Sequence, residues 1–136
     1  MPCVQHQELI SFQELNSEWL RVSGARHVGR NLVVTKNTGM VSATDDTVGQ
    51  DLIARGTKGP GLLLRDDEVT RDTIVLGNAA PVVVDSLTAG HYLSVRSNRP
   101  GGATIDDNHA GAASCVNNDP QSGSGNVATH VNTCPA

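Results

Sequence analysis

The chain has 136 residues, 38% of them hydrophobic and 2% aromatic, with a formal charge of −4, which bounds it to one small domain, alone or with extensions. Acids and bases are interspersed with no basic stripe, so nucleic acid is not expected as a direct partner, and no apolar run reaches the length of a membrane span. Residues 1–6 have neither the charged nor the apolar region of an export signal, so synthesis in the cytoplasm is expected.

Residues 1–30 read as an N-terminal docking segment built on one short helix over residues 11–22. Ser11 is placed to cap it and Glu14, three residues on, completes a capping box; Ile10 and Leu15 can form the hydrophobic staple before the first turn. Phe12, Leu15, Trp19 and Val22 then share one helical face, and Ser23-Gly24 supplies the stop. A helix this short is marginal by itself in water, so its stripe needs cover, either from the chain's own β-structure or from a sister subunit or another protein. Thin β-repeats offer few large side chains to meet it, which points to docking or trimerisation.

Residues 31–105 repeat one phrase: a few apolar residues, a polar one, then a turn. The phrases are Leu32-Val33-Val34, Met40-Val41, Leu52-Ile53-Ala54, Leu62-Leu63-Leu64, Ile74-Val75-Leu76, Val82-Val83-Val84 and Leu93-Ser94-Val95, starting about every ten residues. That spacing, with Gly, Asn, Asp and Pro as punctuation, predicts an all-β sandwich, barrel or stacked prism. Apolar triplets imply cover on both faces. A chain with Phe12, Trp19 and Tyr92 as its large rings has little with which to build a thick core, so copies sharing one are expected. The expected fold is therefore mainly β: a short N-terminal helix, then a short-stranded β-prism or barrel-like body in an intertwined trimer. A compact jelly-roll monomer is the alternative. The acidic clusters Asp45-Asp46, Asp66-Asp67-Glu68 and Asp106-Asp107 lack calcium-loop spacing and read as polar turns. Residues 56–61 place Lys58 among glycines without the ending of a phosphate-binding loop. No nucleophile and base pair emerges, so neither an enzyme nor a cofactor is expected.

Residues 106–136 form a Gly-, Asn- and Ser-rich extension after a composition shift at Arg99-Pro100-Gly101-Gly102. Cys115 and Cys134 bracket a loop whose closure would remove about 3 kcal/mol of unfolded-state entropy, leaving Cys3 free. Cytoplasmic synthesis opposes a disulfide during folding, while later release into an oxidising medium would permit one. A competing reading takes His109, Cys115, His130 and Cys134 as four zinc ligands. The other histidines, His6, His27 and His91, read as solvent-facing or hydrogen-bonded.

The string Ile10-Ser11-Phe12-Gln13-Glu14-Leu15-Asn16-Ser17-Glu18-Trp19 resembles the N-terminal segment of phage tail-fibre and related virion proteins, in which a short helix serves attachment or trimerisation. Gly59-Pro60-Gly61-Leu62-Leu63-Leu64-Arg65-Asp66-Asp67 and Thr73-Ile74-Val75-Leu76-Gly77-Asn78 are similar to the repetitive shaft of such fibres. The resemblance implies a virion structural protein, a homotrimer contacting other virion proteins. Those fibres usually run much longer, to a receptor-binding tip, so an adaptor, a short spike or a capsid-decorating cement protein are the forms expected. A monomeric glycan-binding module of jelly-roll type is the reading from a different class.

Overall fold

The computed structural model describes the backbone of residues 3–4, 12–15 and 19–23, and backbone and side chains of residues 27–136. Every strand pairing in it is parallel, and paired residues lie 20 or 21 positions apart through the middle of the stack and 18 apart between β1 and β3 and in the last coil. The chain is a β-solenoid: it advances by one strand spacing per coil. A first face stacks β1 (Cys3–Val4), β3 (Trp19–Ser23), β6 (Met40–Thr44), β9 (Leu62–Arg65), β12 (Val82–Asp85), β14 (Ala103–Asp106) and β16 (Gln121–Ser124). A second face stacks β2 (Phe12–Leu15), β5 (Leu32–Thr35), β8 (Leu52–Arg55), β11 (Asp72–Leu76) and the later halves of β13 (Thr88–Arg96) and β15 (His109–Val116). A narrow face carries β4 (His27–Val28), β7 (Thr47–Val48), β10 (Glu68–Val69), the opening residues of β13 and β15, and β17 (Val127–Ala128).

The ten-residue phrase is thus half a coil rather than one arm of a hairpin. Alternate phrases fall on alternate faces: Leu32, Leu52, Thr73 and Leu93 stack on one, and Val41, Leu62, Val82 and Ala103 on the other. The expected prism or barrel is corrected in topology while its β character holds. A helix over residues 11–22 is not borne out: the described residues there are β2 and β3, in register with β5 and β6. The physical reason is that the coil period continues into this stretch. Phe12 sits opposite Leu32 and Trp19 opposite Met40, so ladder pairing competes with a helix that was marginal alone.

The core is made by one chain. Leu32, Leu52, Leu62, Leu64, Val75, Val84, Leu93, Val95 and Ile105 are each 2% exposed or less. In four of the triplets (residues 32–34, 52–54, 62–64 and 82–84) the outer two residues point inward and the middle one, such as Leu63 or Val83, lies half-buried on the outer surface, while in Ile74-Val75-Leu76 the phase is shifted by one, with Val75 inward and Leu76 exposed. Scarcity of aromatic rings does not force a shared core, because a solenoid needs no thickness. Each aliphatic residue is covered by its own column above and below as well as by the facing sheet.

Both corners that flank the first face follow one rule, a residue at positive φ followed by an inward side chain. After the second face come Lys36, Gly56, Gly77, Ser97 and Asn117, with φ of 53°, 68°, 63°, 54° and 57°. Behind them Asn37, Thr57, Asn78, Asn98 and Asn118 turn inward and are buried. After the first face the same role falls to Asp45, Asp66, Ser86, Asp107 and Gly125, followed by Asp46, Asp67, Leu87, Asn108 and Asn126. The buried asparagines form ladders. Asn98 Oδ1 accepts from Asn78 N–H at 3.0 Å and from Asn78 Nδ2 at 2.9 Å, while Asn98 Nδ2 donates to Asn118 Oδ1 at 2.9 Å and to the Val75 carbonyl at 3.2 Å. Asn108 repeats this geometry with Leu87, Asn126 and the Val84 carbonyl. Each rung thereby satisfies backbone groups that the bend removes from the strand ladder.

Candidate interaction edges

Stacking gathers charges that are scattered in sequence. Along the corner from second to first face, Lys36, Arg55, Lys58, Arg96 and Arg99 are all exposed. Arg55 is in register with Thr35, Leu76 follows it, and Arg96 follows Leu76. The Lys58 N–H donates to the Asn37 carbonyl at 2.9 Å, seating Lys58 one coil from Thr38. Two adjoining shallow concavities open here, about 360 Å³ lined by Thr35, Lys36, Arg55, Gly56 and Leu76, and about 340 Å³ lined by Lys36, Thr38, Gly56 and Lys58. Leu76, 43% exposed, supplies the apolar patch between Arg55 and Arg96.

The corner from first to narrow face has the opposite sign. Asp45, Asp66, Glu68 and Asp107 are exposed, and Asp85 and Asp106 are half-buried, in register at the ends of β12 and β14. One cation intrudes: Arg65 Nε donates to Asp85 Oδ2 at 2.9 Å, with the arginine side chain 48% exposed. Asp85 also accepts from Ser86 Oγ at 3.0 Å, and Asp106 Oδ1 accepts from the Ser124 N–H at 2.8 Å.

Beneath this acidic edge lies Asp67, 2% exposed, on a rung that asparagine fills elsewhere. Its Oδ1 accepts the Asp46 N–H at 3.0 Å, as Asn108 Oδ1 accepts from Leu87, while its Oδ2 is buried with no hydrogen-bond partner. Burial pushes its carboxyl up from 3.8 to about 8; the Asp46 N–H opposes the rise, and the charges of Asp46, Asp45 and Asp66 reinforce it. Asp67 is therefore protonated at neutral pH. By the ladder's register its hydroxyl occupies the place of an asparagine Nδ2, which on the equivalent rung of Asn108 donates to the Val84 carbonyl at 2.9 Å.

The sequence-derived candidates fare differently. Cys115 and Cys134 are bonded to one another, with an S–S distance of 1.95 Å and Cα atoms 4.6 Å apart. Both sulfurs are committed to that bond, so they are not ligands beside His109 and His130, which are exposed on β15 and on the terminal segment. Among the described residues no group of three or more His, Cys, Asp or Glu is arranged to hold a metal. The proposed docking face of Phe12, Leu15, Trp19 and Val22 has its side chains outside the described residues. Sequence reading missed the two edges because it looked for runs of like charge. The available signal was the period: Arg55 with Arg96, and Lys58 with Arg99, recur at the spacing of two coils. The chain matches no family model, no curated protein and no solved structure.

Proposed function

We propose that the chain is a structural element, a stiff solenoid that spaces or projects within a larger particle and acts through its outer faces. The resemblance in residues 10–78 favours a virion part such as a fibre segment, adaptor or short spike, built with copies of itself and with other virion proteins. The observation that carries the reading is how the buried polar groups are used. Asn78, Asn98, Asn108, Asn118 and Asn126 spend their donors and acceptors on neighbouring coils, so polar chemistry goes into rigidity along the stack. The Cys115–Cys134 bond, holding the last segment to the last coils, suits a protein that meets an oxidising medium. Immunogold labelling and quantitative mass spectrometry of purified particles test this. Enrichment in particles at a fixed copy number is expected; recovery solely in the soluble cell fraction, with free thiols at Cys115 and Cys134, would overturn it.

A further inference from the structure

Over the four coils from β5 to β14 the basic and acidic edges match one another, and in the coil beyond them the exposed Asp119 takes the Arg99 position on the basic edge. The coil of β5 and β6 places Lys36 on the basic edge and Asp45 on the acidic one. In the next coil Arg55 and Lys58 stand against Asp66 and Glu68. The coil of β11 and β12 offers Leu76 and Ala79, no cation, and its one acid on the other edge, Asp85, is already paired with Arg65. The following coil restores two on each side, Arg96 and Arg99 against Asp106 and Asp107. Both edges belong to one stack, so both advance by the same strand spacing of about 4.8 Å per coil.

From this the geometry points to a second copy of the chain as the partner of the basic edge. Solenoids lie side by side, parallel and in register, with the acidic edge of one copy seated along the basic edge of the next. Any other polyanion would need its own charges at this pitch and with the same gap at the coil of Leu76, whereas a second copy has both by construction. The contact is heterologous, since each copy uses one edge to give and the other to receive, so it propagates into rows. It goes beyond a structural role in general, and it can be tested without knowing the particle.

The charges are exposed, so association depends strongly on salt: the screening length shrinks from roughly 30 Å at 0.01 M to about 3 Å at 1 M. Sedimentation of the purified chain at low salt is expected to give a mass that climbs with concentration, returning to 14.2 kDa in about 1 M salt. Neutralising the basic edge (Lys36→Asn, Arg55→Gln, Lys58→Gln) or the acidic edge (Asp45→Asn, Asp66→Asn, Asp106→Asn) should each leave a monomer at low salt. Each of these variants retains one intact edge. Mixed together, they should form a one-to-one dimer and nothing larger, a result that a general loss of folding cannot produce. Circular dichroism of each variant alone confirms the fold. Three results would overturn the inference: a wild-type chain monomeric at every salt concentration, a salt-insensitive closed trimer, or variants that fail to pair. So would a monomer that binds a sulfated polymer through Lys36, Arg55 and Lys58, which would make the edge a polyanion site.

Discussion

Replacing Asp67 by asparagine should make the protein more stable, and the gain can be worked from the site. Asp67 ionises near 3.8 in the unfolded chain and near 8 when folded, so folding takes up a proton everywhere between those values. Stability from this group is therefore fully present below about pH 4, is lost as pH rises, and levels off above about pH 8. The slope is about 1.4 kcal/mol per pH unit, which amounts to about 4 kcal/mol lost by pH 7. With Asp67 only 2% exposed, solvent screening does little to reduce that figure. A neutral amide at this position carries no such cost. The asparagine Oδ1 would keep the bond from the Asp46 N–H, and the Nδ2 would take the place of the partnerless Oδ2, facing the carbonyl of the preceding coil as Asn108 Nδ2 does. Urea titrations followed by circular dichroism at pH 5, 7 and 9 measure this. At a slope of about 2 kcal/mol per M, Asp67→Asn should raise the midpoint at pH 7 by about 2 M, more at pH 9 and less at pH 5. A variant that is no more stable at pH 7, or whose gain over wild type does not grow with pH, would refute the reasoning.

Thr57→Asn should also stabilise. Thr57 interrupts the asparagine ladder between Asn37 and Asn78, leaving Thr57 Oγ1 and Asn37 Nδ2 buried without partners; an amide there should satisfy the second and add about 1–3 kcal/mol, read as a higher urea midpoint. Cys134→Ser should cost about 3 kcal/mol and release residues 129–136 first. Hydrogen exchange should then show early loss of protection at Thr133 and Ala113, whose amides are bonded across that junction, with the coils of β8 to β12 unchanged.

The β character of residues 31–105 was legible because each phrase carries a strand's worth of β-branched and aliphatic residues between turn formers. The topology was not, because a strand's partner is set by what lies a full coil away. Leu62-Leu63-Leu64 and Val82-Val83-Val84 look alike whether they pair in a hairpin or across twenty residues. The repeat that decides the matter is polar: Asn78, Asn98 and Asn118 recur every 20 residues, and each sits directly after a residue at positive φ. Asn and Asp are read as loop formers by default, so these positions looked like punctuation when they were the most repetitive part of the core. The disulfide was visible as a possibility, since Cys115 and Cys134 stand about one coil apart. The charged edges were invisible at the level of runs, because a solenoid converts a period into a line.

The placement of that disulfide follows from how the core changes along the stack. On the first face, the inward column runs from Val41 and Leu62 through Val82 to Ala103, whose partner in the next coil is the exposed Gln121. On the second, Leu93 gives way to Ala113, and on the narrow face Val69 gives way to Ala89 and Ala110. The last coil thins further still: Gly123 holds φ at 135°, and a Cβ there would strike the Ile105 backbone. Each step from Leu or Val to Ala removes two or three buried carbons, worth about 0.8 kcal/mol apiece, so the final coils hold to the stack less firmly by apolar burial than the middle ones do. Cys115 stands at the next inward position of the column Val34, Ala54, Val75, Val95, and Cys134 comes up from the terminal segment to meet it. The covalent link falls where the aliphatic supply runs out, and the Asn126 Nδ2 bond to the Pro135 carbonyl joins it in holding the terminal segment down. A solenoid is stabilised by contacts between neighbouring coils, so a covalent link contributes most where the apolar contact between them is thinnest.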